Sequence, residues 1–201
     1  MISASNEKMA KQVEEFESLL KSKNVLPSNY LEDYSHTVDE DWTAKNGAQL
    51  VARAWIDSNF KKRLLENGID AANELGFSFP KHHRHFVVLE NTVDLHNVIC
   101  CTLCSCTAFS IIGMPPSWYK EIDYRARIVR QSRDVLRELG LDLPDTIKLK
   151  VWDTTTDTRY MVLPYRPKST YSWTEERLAE LIDQDCLVGV KRFESPFGDV
   201  E

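Results

Sequence analysis

The chain has 201 residues, of which 42% are hydrophobic and 28% charged, and its formal net charge is −6. These values are typical of one globular domain, and the negative charge argues against nucleic-acid or anionic-membrane binding, which requires clustered Lys and Arg. The N-terminus lacks the apolar core of a secretory signal and no apolar run is long enough to span a bilayer, so we expect a cytoplasmic protein. Five cysteines, an odd number with four crowded together, favour a metal in a reduced compartment over a disulfide framework.

The front third of the chain is helical and acidic. An apolar stripe at helical spacing predicts a first helix that ends between Lys21 and Pro27. The stripe consists of Met9, Val13, Phe16, Leu19 and Leu20. Residues 32–46 are polar and predict a loop, and residues 48–59 predict a second helix. We therefore expect a helical N-terminal arm over residues 1–50 and a second domain over residues 51–201.

The second domain mixes strands and helices. Short β-branched runs at 86–89 and 98–99 predict two strands around a turn, and the second leads directly into a cysteine-rich run. An arginine-rich helix is predicted over 123–139, followed by a hairpin across 153–158. A last helix is predicted after the capping-box pattern at 172–175. This order of elements predicts an α+β fold.

Residues 101–106, which we call the claw, place three cysteines in the spacing C-x-x-C-x-C. A tetrahedral zinc site normally closes with a second pair of ligands, but the next cysteine is the distant Cys186. The tight spacing also turns the backbone amides of Ser105 and Cys106 toward the sulfurs. Thiolates with deprotonated amides suit trivalent cobalt or iron. Five donors leave one position open on a Lewis acid, as a hydration reaction requires.

The claw and the runs at 113–120 and 124–127 strongly resemble the alpha subunit of nitrile hydratase and its relative, the gamma subunit of thiocyanate hydrolase. The similarity extends upstream to 87–92 and 96–98, and downstream to 159–167, 173–176 and 185–190. It covers roughly residues 55–190. The resemblance implies a layered α/β/β/α metal-binding domain behind the helical arm.

The resemblance also implies the chemistry of the claw. Cys101, Cys104, Ser105 and Cys106 would be the metal ligands, with Cys106, Ser105 and Cys104 as the catalytic residues. Cys104 would become a sulfinic acid and Cys106 a sulfenic acid, while Cys101 stays a thiolate. Crowded thiolates at a metal are the residues most prone to such oxidation.

Different residues of the sequence favour different metals. Thr102 is the residue of cobalt-containing relatives, whereas Thr107 and Ala108 resemble iron-containing ones. Because Thr102 lies inside the claw, we expect Co(3+), with Fe(3+) as the alternative.

The resemblance implies partners as well. An anionic rim of oxidised cysteines needs cationic donors, and arginine matches paired oxygens best. In the family these arginines come from a beta-type subunit, single or split, and a metallochaperone or activator protein assists. Tyr34 and Trp42 in the arm would then be interface anchors, with a solvated tail as the alternative. The implied ligand is a small-molecule nitrile.

Three residues are predicted near a substrate pocket. Phe109 stands where relatives carry a larger indole and Ser110 replaces a proline, so a bulky heterocyclic nitrile such as toyocamycin is conceivable. A solvent-facing loop is expected for most histidines of 82–85, but His82 aligns with a glutamine near the active site of several relatives and is therefore a pocket candidate. Arg159 matches a family arginine near the metal cluster, with an ordinary hairpin ion pair as the alternative.

Other functions remain open at this point. The same claw serves a thiocyanate hydrolase gamma subunit, although the run at 107–110 lacks the arginines that a small anion would favour. A non-catalytic metal-binding module is a further alternative. A structural zinc or iron–sulfur site completed by Cys186 is another, although Cys186 is more readily a buried thiol. His96 is expected to be a structural, hydrogen-bonding histidine.

Overall fold

The computed structural model describes residues 4–193, with side chains from Glu7 onward. Within this range no helix is both long and apolar enough to cross a membrane. The helices are α1 (Ala4–Ser22), α2 (Tyr30–His36), α3 (Ala44–Ile56), α4 (Ser58–Glu66), α5 (Gly68–Glu74), α6 (Phe109–Ile112), α7 (Ser117–Lys120), α8 (Ile122–Arg127), α9 (Ser132–Glu138), α10 (Glu175–Leu181) and α11 (Gln184–Val188), with a π-helical turn at Thr37–Asp41 and a 3-10 turn at Lys168–Thr170. The strands are β1 (His85–Glu90), β2 (Leu95–Cys100), β3 (Lys148–Asp153) and β4 (Thr158–Leu163).

The chain divides into two compact units between Glu40 and Asp41. Helix α3 crosses the predicted boundary at residue 50 and belongs wholly to the second unit. In the first unit, α1 confirms the predicted first helix. The predicted loop over 32–46 is wrong, because this stretch contains most of α2, the π-helical turn and the start of α3. Acidic residues in the first turn of α2 and the 2.6 Å hydrogen bond from Asn29 to Asp33 favour helix there.

The second unit is built on two parallel strand pairs. Val87 of β1 lies in register with Tyr160 of β4, and Ile99 of β2 with Trp152 of β3. The predicted hairpin across 153–158 is therefore wrong, because β3 and β4 belong to different sheets. Helices α4 and α5 pack on β1, α11 on β2 and β4, and α9 on β3. Helices thus cover both strand pairs, which confirms the α+β class.

Helix ends in the second unit follow local hydrogen bonding. The predicted second helix is split at Asp57, whose carboxylate accepts the N–H groups of Asn59 and Phe60 at 2.9 Å and starts α4. The predicted helix over 123–139 is likewise two helices, α8 and α9, linked by a 2.5 Å ion pair between Arg127 and Glu138. The predicted cap at Ser172 is wrong.

The cap of α10 is Thr174, whose hydroxyl accepts the N–H of Arg177 at 3.4 Å. A Thr at this position satisfies one of the free N–H groups at the start of the helix. The helix predicted there is confirmed as α10, with its cap predicted two residues too early, but it is not the last helix, because α11 follows it.

Candidate metal centre

The claw lies at the carboxyl ends of two paired parallel strands. β2 ends at Cys100, which is in register with Asp153 at the end of β3, and Cys101 follows directly. The sulfurs of Cys101 and Cys104 are 3.2 Å apart, and those of Cys104 and Cys106 are 2.8 Å apart. All three sulfurs lie within 4.8 Å of one another, so the structure brings the three predicted thiol ligands together.

Side chains at the end of β3 fix the claw backbone. Asp153 accepts hydrogen bonds from the Thr102 N–H at 2.9 Å and from the Thr102 hydroxyl at 2.5 Å. The Thr154 hydroxyl donates to the Cys100 carbonyl at 2.6 Å and lies 3.3 Å from the Cys106 carbonyl. The entry and the exit of the loop are thereby tied to one neighbouring strand end.

The segment after the claw fixes it from another direction. The Tyr119 hydroxyl donates to the Cys106 carbonyl at 3.3 Å, and burial raises the pKa of Tyr119, which keeps this donor protonated. Arg125 Nη1 donates to the Cys104 carbonyl at 2.9 Å. The claw is therefore held in shape by the chain's own side chains.

The claw sulfurs differ in acidity. The hydrogen bond from Cys106 lowers the pKa of Cys104, and the N–H groups of Cys106 and Ser105 are also directed at this sulfur. Burial raises the pKa of Cys106 to about 12, with the neighbouring Cys104 adding to the rise. Of Cys104 and Cys106, Cys104 is thus the thiol that ionises first, and the two amides predicted as nitrogen ligands contribute to its lowered pKa.

The other two cysteines stand apart from this cluster. Cys100 and Cys186 are fully buried, and burial raises the pKa of each to about 12. Among the residues described, the group able to hold a metal comprises Cys101, Cys104 and Cys106 without Cys186. The zinc or iron–sulfur alternative completed by Cys186 is therefore wrong, and the expectation of a buried thiol at Cys186 is confirmed.

Phe109 belongs to an aromatic wall beside the claw. Its ring centroid lies 4.7 Å from that of Trp42 and 4.7 Å from that of His83. Trp42 packs on Phe109 within the same unit, and its predicted role as an anchor for a partner stays a prediction. Ser110 is buried at the start of α6, and its carbonyl accepts from Asn46 at 3.0 Å. Phe109 is therefore held between two rings, and Ser110 is part of the packed interior.

The histidine run splits between the surface and the interior. His83 is 3% exposed, so a solvent-facing loop is wrong for this residue. Burial lowers the pKa of His83 to about 4, with smaller contributions from Arg159 and His82, so its ring is neutral near pH 7. Neither ring nitrogen has a hydrogen-bond partner within residues 4–193. A buried ring without partners carries unsatisfied polar groups beside the claw.

His82, the predicted pocket residue, has a different position from its neighbour. It lines a cleft of about 700 Å³ together with Lys81, Arg84 and residues 155–157. Its ring centroid lies 4.5 Å from that of His83 and 6.2 Å from that of Phe109. His82 thus joins an open cleft to the aromatic wall, and its role toward a substrate stays a prediction.

Arg159 is buried at the start of β4. It is 4% exposed, and its Nη1 donates to the carbonyls of Thr155 at 2.6 Å and Thr158 at 3.1 Å. The hairpin ion pair considered for it is wrong, because β3 and β4 do not pair and its hydrogen bonds go to carbonyls. Its positive charge opposes the rise in the pKa of Cys106. Arg159 therefore acts electrostatically on the claw.

Sequence reasoning missed the side chains that fix the claw. Asp153 and Thr154 lie at the end of a predicted strand, and the claw lies at the end of another, which was one usable signal. The pairing of these two strands was not predicted. Arg125 had no signal that separated it from four other arginines on the same predicted helix. The burial of His83 could not be predicted, because His82 is the same residue type next to it in a polar run.

The donor chemistry of the site fits a trivalent metal. It offers three sulfurs within bonding reach of a common point and two backbone amides directed at the central sulfur. Two arginines nearby, Arg125 and Arg159, each have a buried Nε without a partner in the described chain. Buried donors of this kind call for acceptors. The surroundings of the claw are therefore suited to a centre that carries negative charge.

Comparison with known proteins agrees with this geometry. The family described as nitrile hydratase, alpha chain, matches residues 7–191. A nitrile hydratase subunit alpha from Rhodococcus sp. is 44% identical over 191 residues, covering 94% of this chain and 96% of the relative.

Solved structures are similar over nearly the whole chain. A double mutant of the Fe-type nitrile hydratase from Comamonas testosteroni Ni1 has a TM-score of 0.92 and 57% identity, covering 98% of this chain and 95% of that chain. A recombinant thiocyanate hydrolase comprising partially modified cobalt centres has a TM-score of 0.84 and 35% identity, with coverage of 98% and 93%. The cysteine cluster, the fold and these similarities together show that the chain belongs to the nitrile hydratase alpha chain family.

Proposed function

We propose that the chain is the metal-binding catalytic subunit of a nitrile hydratase, which adds water to a nitrile to give the amide. The observation that carries the proposal is the cluster of Cys101, Cys104 and Cys106, with the amides of Ser105 and Cys106 facing its central sulfur. Membership of the nitrile hydratase family supports it.

Residues of the chain take distinct roles in this proposal. The three sulfurs and two amide nitrogens would hold the metal, which when bound supplies a Lewis acid with an open position. Asp153 and Thr154 keep the loop in the shape that converges the donors. Phe109 and the neutral His83 form an aromatic wall on which the organic part of a nitrile can rest.

The acidity of the sulfurs supports the oxidation pattern implied by the resemblance. Oxidation of cysteine follows thiolate character and exposure. Cys104 is exposed and has a lowered pKa, which favours the more oxidised sulfinic acid there. Cys106 is half-buried and would stop at the sulfenic acid, while the buried Cys101 would stay a thiolate.

A beta-type partner subunit is part of the proposal. Leu103 at the tip of the claw is an apolar side chain that is 89% exposed. In the first unit, Met9, Val13 and Phe16 of α1 are each about 60% exposed. Apolar surface of this kind marks protein contacts, and a partner over the claw could supply arginines to the oxidised cysteines. An activator protein for metal loading and a cytoplasmic location complete the proposal.

The metal is proposed to be trivalent cobalt or iron. Thr102 supports cobalt, and the relative named as Fe-type at 57% identity supports iron. A nitrile with a bulky heterocyclic group remains the proposed substrate class, although Trp42 occupies space beside Phe109.

A thiocyanate hydrolase gamma subunit is the second candidate. It is supported by the 35% identical structure with coverage of 98% of this chain. Against it stands the run at 107–110, in which Thr107 and Ser110 are buried and none of the four residues is cationic. A small anion as substrate would favour arginine there.

The proposal is tested by producing the chain with and without its beta-type partner and measuring metal content, nitrile hydration and thiocyanate hydrolysis. We expect one cobalt or iron per chain and amide formation with the partner present. Stoichiometric zinc would contradict the metal assignment, full turnover by the isolated chain would contradict the need for a partner, and ammonia release from thiocyanate alone would favour the second candidate.

A further inference from the structure

Arg125 contacts the claw at a chemically special point. Its Nη1 donates to the Cys104 carbonyl at 2.9 Å. That carbonyl and the Ser105 nitrogen belong to one planar peptide unit. A bond that fixes the carbonyl oxygen therefore fixes the direction of the Ser105 nitrogen, which is one of the proposed metal ligands.

The position of Arg125 is set by how its helix is anchored to the fold. The preceding residue, Tyr124, is buried, and its hydroxyl donates to the Ile99 carbonyl on β2 at 2.9 Å. The Tyr124 ring also packs on Trp118 and Tyr119. Helix α8 is thereby anchored to the strand that leads into the claw, so the fold places the guanidinium beside the Cys104 carbonyl.

The charge of Arg125 suits that peptide unit. In an amide that binds a metal through nitrogen, negative charge spreads onto the carbonyl oxygen because the C–N bond has partial double-bond character. A guanidinium on that oxygen makes a charge-assisted hydrogen bond, which is about twice as strong as a neutral one.

The other supports of the claw differ from Arg125 in both respects. Thr154 and Tyr119 are neutral, and they bind the carbonyls of Cys100 and Cys106. The nitrogens of those peptide units belong to Cys101 and Thr107, which are not proposed nitrogen ligands. Arg125 thus combines a positive charge with the peptide unit of a proposed nitrogen ligand.

We propose that Arg125 is a positioning residue of the metal centre. It holds the Cys104–Ser105 peptide with the Ser105 nitrogen toward the sulfurs, and it carries positive charge on the opposite side of that peptide. The inference rests on the proposed function, since it requires a metal bound through the Ser105 nitrogen.

The test compares Arg125→Gln with Arg130→Gln in the metal-loaded complex with the partner. Both substitutions remove one positive charge from the same segment, but Arg130 is exposed. We expect Arg125→Gln to lose metal to a chelator about tenfold faster or more, as the loss of a charge-assisted hydrogen bond at a ligand would cause. Its visible absorption should shift as well, while Arg125→Lys should retain metal more nearly like the parent and Arg130→Gln should be unchanged.

A purely structural role for Arg125 would lower the thermal unfolding midpoint and leave the absorption spectrum and metal loss as in the Arg130→Gln control. That result would overturn the inference while leaving the proposed function intact. A parent complex without trivalent metal would overturn both. If Arg125→Gln does not fold, the neutral variant Arg125→Met takes its place. A spectrum and a rate of metal loss equal to those of Arg130→Gln would then overturn the inference.

Discussion

Two histidines of this fold are both buried but differ in their hydrogen-bond partners. His96 on β2 is fully buried, with Nε2 2.8 Å from the Gly189 carbonyl and Nδ1 3.2 Å from the Asn91 amide. His83 beside the claw is almost as buried and has no hydrogen-bond partner in the described residues. Burial lowers the pKa of each to about 4. The fold completes the polar network around His96 by itself, whereas beside the claw it leaves the ring nitrogens of His83 without partners among the described residues.

The cysteines also divide into those of the metal cluster and those buried elsewhere in the fold. Replacing a cysteine of the cluster should have the largest effect on metal content and activity. We expect Cys104→Ser to reduce both metal content and nitrile hydration to background, because the central sulfur of the cluster is lost. Cys186→Ser serves as the control, since this thiol is buried away from the cluster. Metal analysis measures the metal content of both variants, and amide formation measures their nitrile hydration. Loss of metal in the Cys186 variant would contradict the separation.

Replacing each histidine by Phe compares the stability contributions of His96 and His83 directly. We expect His96→Phe to lower the free energy of unfolding by about 2–4 kcal/mol, because the Asn91 amide and the Gly189 carbonyl lose a partner. His83→Phe removes no hydrogen bond within the described chain and should cost clearly less. Urea unfolding of the full chain measures both, and equal costs would show that partners do not distinguish the two sites.

The wall beside His83 should control substrate size. We expect Phe109→Trp to disfavour bulky aromatic nitriles relative to small aliphatic ones, shifting the ratio of their kcat/KM values by roughly 1–3 kcal/mol. Metal content should stay unchanged, which serves as the control. An unchanged ratio would place Phe109 in the packed interior and the specificity wall in the partner subunit.

The smallest expected effect is in the pH dependence of stability. Both histidines have a folded pKa near 4, below the ordinary value of 6.5, so the unfolded chain takes up protons first as the pH falls. Their contribution is complete above about pH 6.5 and is lost between about pH 6.5 and pH 4. In each Phe variant the slope of unfolding free energy against pH in this window should fall by up to about one proton. Identical slopes would contradict the lowered pKa values.

Local patterns in the sequence predicted the features that depend on interactions between neighbouring residues. The spacing of the cysteines, the apolar stripe of α1 and the strand leading into the claw depend on neighbouring residues, and the family resemblance reinforced them. The pairing of β1 with β4 and of β2 with β3 depends on distant partners that the local pattern does not encode. His96 was expected to be structural because it sits at a strand beside Asn97, and its two hydrogen bonds confirm this.

The candidate site was predicted unevenly for the same reason. The thiols form the cluster because they are close in sequence, whereas Asp153 reaches Thr102 through the parallel register of two strands far apart in the chain. His83 and His82 are adjacent and chemically identical, so burial alone separates them. Arg125 is one of five arginines between 125 and 137, and its contact with the claw depends on how α8 is anchored.

The register of β2 with β3 has a consequence for the order of assembly. Cys100 meets Asp153 only when two segments separated by several helices have come together, and contacts of such long sequence separation form slowly. Before that step the claw lacks the hydrogen bonds from Thr102 to Asp153. In small zinc domains the metal drives folding from an unstructured chain. Here the clamp on Thr102 comes from β3, so the claw takes its final shape only after β2 and β3 have paired.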